Sequence, residues 1–125
     1  MRLLLDTHVF VWWRNRQRIL RRETIDAIEA ADAVYVSLAS AWEAYIKASL
    51  GRMRLTESFR DGIEHSGFKP LSIEFAHLER IVALPHRHRD PFDRLLVAQA
   101  LVEDLTIVTE DRKIAAYEVA ILDAI

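Results

Sequence analysis

The chain has 125 residues, 51% of them hydrophobic and 29% charged, with a net charge of −2 and no cysteine. That length suits one compact domain, 1–125, with a core large enough to fold alone, and the composition excludes a disordered chain. The missing cysteines exclude disulfides and thiolate metal sites and suit a reducing, cytoplasmic setting.

The first element is "LLLD" (3–6), a short apolar run that an acid ends. Asp6 interrupts the run and arginines 14, 16 and 18 follow it, so neither a membrane span of roughly 18 to 20 apolar residues nor a signal peptide fits. A helix is expected to begin near Thr7 or His8. On it, Trp12 and Trp13 suit a core or dimer contact better than base stacking. The segment "RNRQRILRR" (14–22) carries five arginines and no acid. It reads either as a solvated helix face or as a phosphate-attracting surface. A helix over 23–31 precedes a strand, "AVYVSL" (33–38), and helices are expected over 40–50, ending before Gly51, and over 57–65. "FKPLSI" (68–73) is an edge-strand candidate, because Pro70 cannot donate to a ladder. A helix over 74–82 leads to "HRHR" (86–89), a second basic cluster, and a helix over 91–103 follows. The chain closes with a strand at 105–109, a short helix at 112–117 and a strand at 119–122.

The strand candidates are continuously apolar, as strands buried on both faces are. Strands alternating with helices imply βαβ units and a parallel sheet of about four to five strands between helix layers. The predicted class is therefore three-layer α/β. In such sheets, ligands bind beyond the carboxyl ends of the strands.

Several acids fall on that rim. Asp6 ends the first strand, where it is either a ligand-facing carboxylate or the cap of the next helix. Ser40-Ala41-Trp42-Glu43 reads as a capping box, with Glu43 reaching back to the Ser40 amide; it also places Glu43 near the rim, with Lys47 one turn on. Asp90-Pro91 reads as an N-cap followed by proline at the first helical position. Asp93 heads a stripe of Leu96, Val97 and Ala100, so its charge needs a partner: an arginine such as Arg89 or Arg94, or a cation. Thr109-Glu110-Asp111 ends the third strand, and Asp111 suits a cap for helix 112–117. Loop histidines 86 and 88 read as solvated, with general-acid or RNA-contact roles as the alternative.

Four of these acids, Asp6, Glu43, Asp93 and Asp111, converge if their strands are neighbours. Clustered carboxylates raise one another's pKa and destabilise the fold unless a cation joins them. Oxygen donors without cysteine select Mg²⁺ or Mn²⁺ and not zinc. The chemistry that follows is metal-assisted phosphodiester hydrolysis.

"LLLDTH", "SAWEAYIK..LGRM", "RDPFDRLLVAQAL" and "IVTEDRKIAAY" together resemble the PIN-domain nucleases, and within them the VapC-type ribonuclease toxins of bacterial toxin–antitoxin pairs. The resemblance spans residues 2 to about 122. It implies a Rossmann-like fold and an acidic quartet that binds Mg²⁺ or Mn²⁺ and cuts RNA internally, leaving a 5′-phosphate and a 3′-hydroxyl. It also implies a cognate antitoxin, a homodimer and a cytoplasmic location. Matched residue by residue, the quartet is Asp6, Glu43, Asp93 and Asp111. Thr7 and Thr109 match supporting hydroxyls, Lys47 matches a lysine common in the subgroup, and Ser40 and Asp90 keep supporting places. Glu110 departs from the pattern as a rival for the fourth position, and the arginine-rich 14–22 region departs from it as well. Arg14, Arg16, Arg87, Arg89 and Arg94 are the expected RNA contacts.

Other classes fit less well. A phosphatase of the haloacid-dehalogenase type wants an aspartate two residues after Asp6, where His8 stands. A receiver module wants an acidic pair near the end of the first strand, which is missing. A silent protein-binding scaffold has no use for clustered negative charge.

Overall fold

A computed structural model describes residues 1–15 and 19–125 of the chain. In chain order the elements are β1 (Arg2–Leu5), α1 (Thr7–Arg14), α2 (Arg22–Ala30), β2 (Ala33–Ser37), α3 (Leu38–Ser49) and α4 (Phe59–His65). There follow β3 (Lys69–Leu71), α5 (Phe75–Val82), α6 (Pro91–Glu103), β4 (Thr106–Thr109), α7 (Arg112–Ala115) and β5 (Ile121–Asp123). The strands form one five-stranded sheet in the order β3-β2-β1-β4-β5, and every pairing is parallel. Proline-bearing β3 lies at an edge, as its missing N–H requires.

The central strand explains the three layers. Leu3, Leu4 and Leu5 are fully buried, yet they serve different cores. Leu3 and Leu5 pack with Val9, Phe10, Ile28, Phe59 and Ile63 on one face. Leu4 packs with Leu96, Val97, Ile107 and Ile114 on the other. Each such leucine contributes roughly 1.5 to 3 kcal/mol, enough together to hold a costly polar residue at the end of the strand. Trp12 and Trp13 are half-buried against the first core, in line with the core reading.

The strand order also locates a site. The chain leaves β1 toward β2 on one side, and β4 enters on the other side. The β1–β4 junction is thus the switch point where α/β sheets bind ligands. The junction is closed by the Asp6 backbone N–H, which donates to the Val108 carbonyl at 3.1 Å.

Two local readings need correction. Asp6 lies one residue beyond β1 and is the N-cap of α1, its Oδ1 accepting from the Val9 N–H at 2.9 Å. The second concerns α3, which begins directly at the end of β2 with no loop between. Its N-cap is therefore Ser37, whose hydroxyl accepts from the Ala39 N–H at 3.0 Å, and not Ser40. Glu43 falls in the second turn and makes no capping box. Ser40 Oγ is buried with no hydrogen-bond partner among the described residues.

Candidate metal centre

Asp6, Glu43, Asp93 and Asp111 line one cleft of about 160 Å³, together with Thr7, His8, Lys47, Asp90 and Glu110. Each acid is delivered by a different part of the fold. Asp6 is the residue that turns β1 into α1, and both its oxygens are held: Oδ1 by the Val9 N–H and Oδ2 by the Thr109 hydroxyl. Thr109 is placed for this by its position as the last residue of neighbouring β4. Its own Oγ1 accepts from the Asp111 N–H at 3.0 Å, so one hydroxyl links two of the acids.

Glu43 projects from α3. Its Oε1 accepts from the Thr7 hydroxyl at 2.6 Å, and its Oε2 pairs with Lys47 Nζ at 3.0 Å, one turn along the same helix. Asp93 sits in the first turn of α6, whose start follows the Asp90-Pro91 pattern: Asp90 Oδ1 accepts from the N–H groups of Phe92 and Asp93. Asp111 caps α7 by accepting from the Lys113 N–H at 2.8 Å. Glu110 lines the cleft but is exposed, whereas Asp111 is half-buried.

The electrostatics are adverse to bare carboxylates. Burial pushes the Asp6 carboxyl above its ordinary range, against the Thr109 and Val9 hydrogen bonds and His8, and Glu110 pushes it further. Asp93 is raised to about 7, chiefly by burial and then by the nearby Asp90 charge, with His88 opposing and Asp111 adding to the rise. Six carboxylates share this cleft, with Lys47 and the imidazoles of His8 and His88 near them. Charge of that density is relieved when a cation joins the carboxylates. Oxygen donors suit a hard divalent ion. Asp6, Glu43, Asp93 and Asp111 line the cleft, and among the described residues the donor atoms that lie within 4.8 Å of one another are those of His88, Asp90 and Asp93.

The basic residues divide differently from the sequence expectation. Arg87 and Arg89 are exposed and line a second, basic cleft of about 730 Å³ with His86, His88, Arg94 and Lys113. Arg94 reaches that cleft, but its guanidinium is committed to the Pro85 and Ile81 carbonyls and the Tyr117 hydroxyl. Arg14 lines neither the acidic nor the basic cleft. It forms a forked pair with Glu57, both contacts at 2.9 Å, and a bond to Ser66 at 3.1 Å. Arg16 lies outside the described residues. Asp93 takes neither expected arginine as its partner: His88 Nε2 lies 2.7 Å from Asp93 Oδ2. The solvated reading of His88 is thereby overturned, since its side chain is only 10% exposed. The available signal was the position of His88, two residues before the helix cap Asp90. His8, one residue past Thr7, was also missed.

The PIN domain profile matches residues 3–120. The chain belongs to the PIN domain family. Among curated proteins, this PIN domain is 30% identical over 123 residues to ribonuclease VapC22 of Mycobacterium tuberculosis, covering 92% of this chain and 91% of that one. Among solved structures, it superposes on VapBC2 from Rickettsia felis bound to a promoter DNA fragment with a TM-score of 0.76, 13% identity and full coverage of both chains. A toxin–antitoxin complex from Klebsiella pneumoniae matches with a TM-score of 0.65 and 23% identity, over 96% of this chain and 95% of that one. DNA-bound VapBC from Salmonella typhimurium gives 0.68 and 14%, over 98% of each. The structural likenesses establish the PIN fold, with its parallel five-stranded sheet.

Proposed function

We propose that this PIN domain is a Mg²⁺- or Mn²⁺-dependent endoribonuclease and the toxin of a toxin–antitoxin pair. The observation that carries the reading is the meeting of Asp6, Glu43, Asp93 and Asp111 in one cleft at the β1–β4 switch point. The ribonuclease name of its 30% identical relative supports RNA as the substrate. The toxin–antitoxin complexes among its structural relatives support an antitoxin partner. A homodimer and a cytoplasmic location follow from the same family assignment. Among the described residues no helix is long and apolar enough to cross a membrane.

In this reading the four carboxylates hold the cation, with Asp111 and not exposed Glu110 as the fourth. When bound, the ion supplies Lewis-acid activation of water and neutralises charge on the reacting phosphate. The chain's own residues do the rest. Thr109 and the Val9 N–H fix Asp6, and Thr7 and Lys47 fix Glu43, so the donors are oriented before substrate arrives. Lys47 also offsets the Glu43 charge while the site is assembled. Arg87, Arg89 and Lys113 put positive charge beside the acidic cleft and draw the RNA backbone across it.

The test is to incubate the purified protein with total RNA and Mn²⁺, with and without EDTA, and to map the ends of the products. Internal cuts leaving 5′-phosphates and 3′-hydroxyls, abolished by EDTA, are expected. Cleavage that persists in EDTA, or 2′,3′-cyclic phosphate ends, would rule the mechanism out.

A further inference from the structure

The loop between α5 and α6 carries His86-Arg87-His88-Arg89, and His88 alone of the four turns inward. Arg87 and Arg89 are exposed, while His88 turns onto the acidic cleft with its side chain nine-tenths buried. His88 Nε2 lies 2.7 Å from Asp93 Oδ2 and 3.8 Å from Asp111 Oδ2, a hydrogen bond to the first and a looser approach to the second. The other ring nitrogen decides the tautomer. The Arg89 backbone N–H donates to His88 Nδ1 at 3.0 Å. A nitrogen that accepts a hydrogen bond carries no proton, so the ring proton sits on Nε2 and is donated to Asp93. Asp93 Oδ1 accepts no hydrogen bond among the described residues.

We propose that His88 is a positioning residue of the acidic site, whose Nε2–H fixes the Asp93 carboxylate and clips the arginine-bearing loop to the rim. The proposal rests on the metal-dependent nuclease reading and adds a residue to it. A rival arrangement is direct ligation, since donor atoms of His88, Asp90 and Asp93 all lie within 4.8 Å of one another. Ligation through Nε2 needs that nitrogen's lone pair, which moves the proton to Nδ1. There it would face the Arg89 N–H, donor against donor, and the loop would have to rearrange. Metal-binding carboxylates are themselves commonly held by hydrogen bonds from outer donors, and His88 Nε2–H makes such a bond to Asp93.

One hydrogen bond then has two effects. Losing it frees the Asp93 carboxylate to rotate, and it unpins the loop that carries Arg87 and Arg89. The experiment compares full-length wild type, His88→Ala and His88→Gln, the last restoring an N–H donor at similar reach. Mn²⁺ binding is measured by calorimetry without RNA, and the bound ion is examined by pulsed electron paramagnetic resonance for nitrogen coupling. His88→Ala is expected to weaken Mn²⁺ binding about tenfold or more, and His88→Gln to stay within about threefold of wild type. Nitrogen coupling is expected to be the same in wild type and His88→Gln. Equal Mn²⁺ affinity in wild type and His88→Ala would overturn the proposal. So would a nitrogen coupling that wild type shows and His88→Gln loses, because His88 would then be a ligand. A wild-type protein that binds no Mn²⁺ would overturn the metal reading itself, and this proposal with it.

Discussion

Replacing Asp93 with asparagine removes a charge that the fold disfavours until a cation arrives. The Asp93 carboxyl is raised from 3.8 to about 7. A rise of that size corresponds to roughly 4 kcal/mol, and screening at the cleft mouth reduces this to about 2 kcal/mol. The sign follows from the folded pKa lying above the unfolded one. The unfolded chain ionises this group near pH 4, while the folded chain keeps it protonated up to about pH 7. Wild-type stability therefore falls as pH rises from about 4 to about 7 and is level above that. The carboxamide oxygen in Asp93→Asn can still accept from the His88 N–H, so the bond is kept and the charge is lost. In EDTA at pH 8, Asp93→Asn should melt about 6 to 10 °C above wild type, taking about 3 to 5 °C per kcal/mol for a domain this size. At pH 3.5, below the unfolded value, the gap should nearly close. Millimolar Mn²⁺ should raise the wild-type melting temperature by mass action and leave the variant almost unmoved. Thermal melts followed by circular dichroism check all three points. An advantage of equal size at both pH values, or none at pH 8, would refute the reasoning.

Arg87→Ala and Arg89→Ala should each weaken RNA binding and lower the salt slope of log K by about 0.7 per charge for single-stranded RNA, measured by fluorescence anisotropy. Arg14→Ala should leave that slope unchanged and lower the melting temperature, because its partners are Glu57 and Ser66. Ser37→Ala should destabilise the fold by about 1 to 2 kcal/mol through loss of the α3 cap and of the 2.6 Å bond to Gln99. Ser40→Ala should be neutral or stabilising by up to about 1 kcal/mol, since it removes an unpartnered buried hydroxyl. Urea denaturation of the two serine variants separates the cap assignments.

Much of this was legible in the residues because strong local rules applied. Three consecutive leucines buried on both faces mark a central strand, and Asp90-Pro91 marks the start of α6 to the residue. The carboxylate rim followed once strands and helices alternated. What local pattern could not supply was the absence of a β2–α3 loop. Ser37 and Ser40 are chemically equivalent caps, and only the strand's tertiary extent, ending at Ser37 against Leu71 of β3, decides between them. The arginines show the same limit. Arg14 is bound by Glu57, which is 43 residues away, and Arg94 by the Ile81 carbonyl of α5, the Pro85 carbonyl of the following loop and the Tyr117 hydroxyl. Their composition suggested a nucleic-acid surface, but their partners are set by folding. His88 looked solvated beside arginines, yet the loop turns it inward onto Asp93.

The most direct measurement of the central claim is RNA cleavage by wild type and Asp6→Asn across a Mg²⁺ titration. Asp6 is the most buried of the four acids, and its carboxylate is held from two sides by the Val9 N–H and the Thr109 hydroxyl. Loss of one ligand charge should abolish cleavage at limiting Mg²⁺, with at most partial recovery at saturating ion. Full wild-type activity of Asp6→Asn at limiting Mg²⁺ would contradict the account.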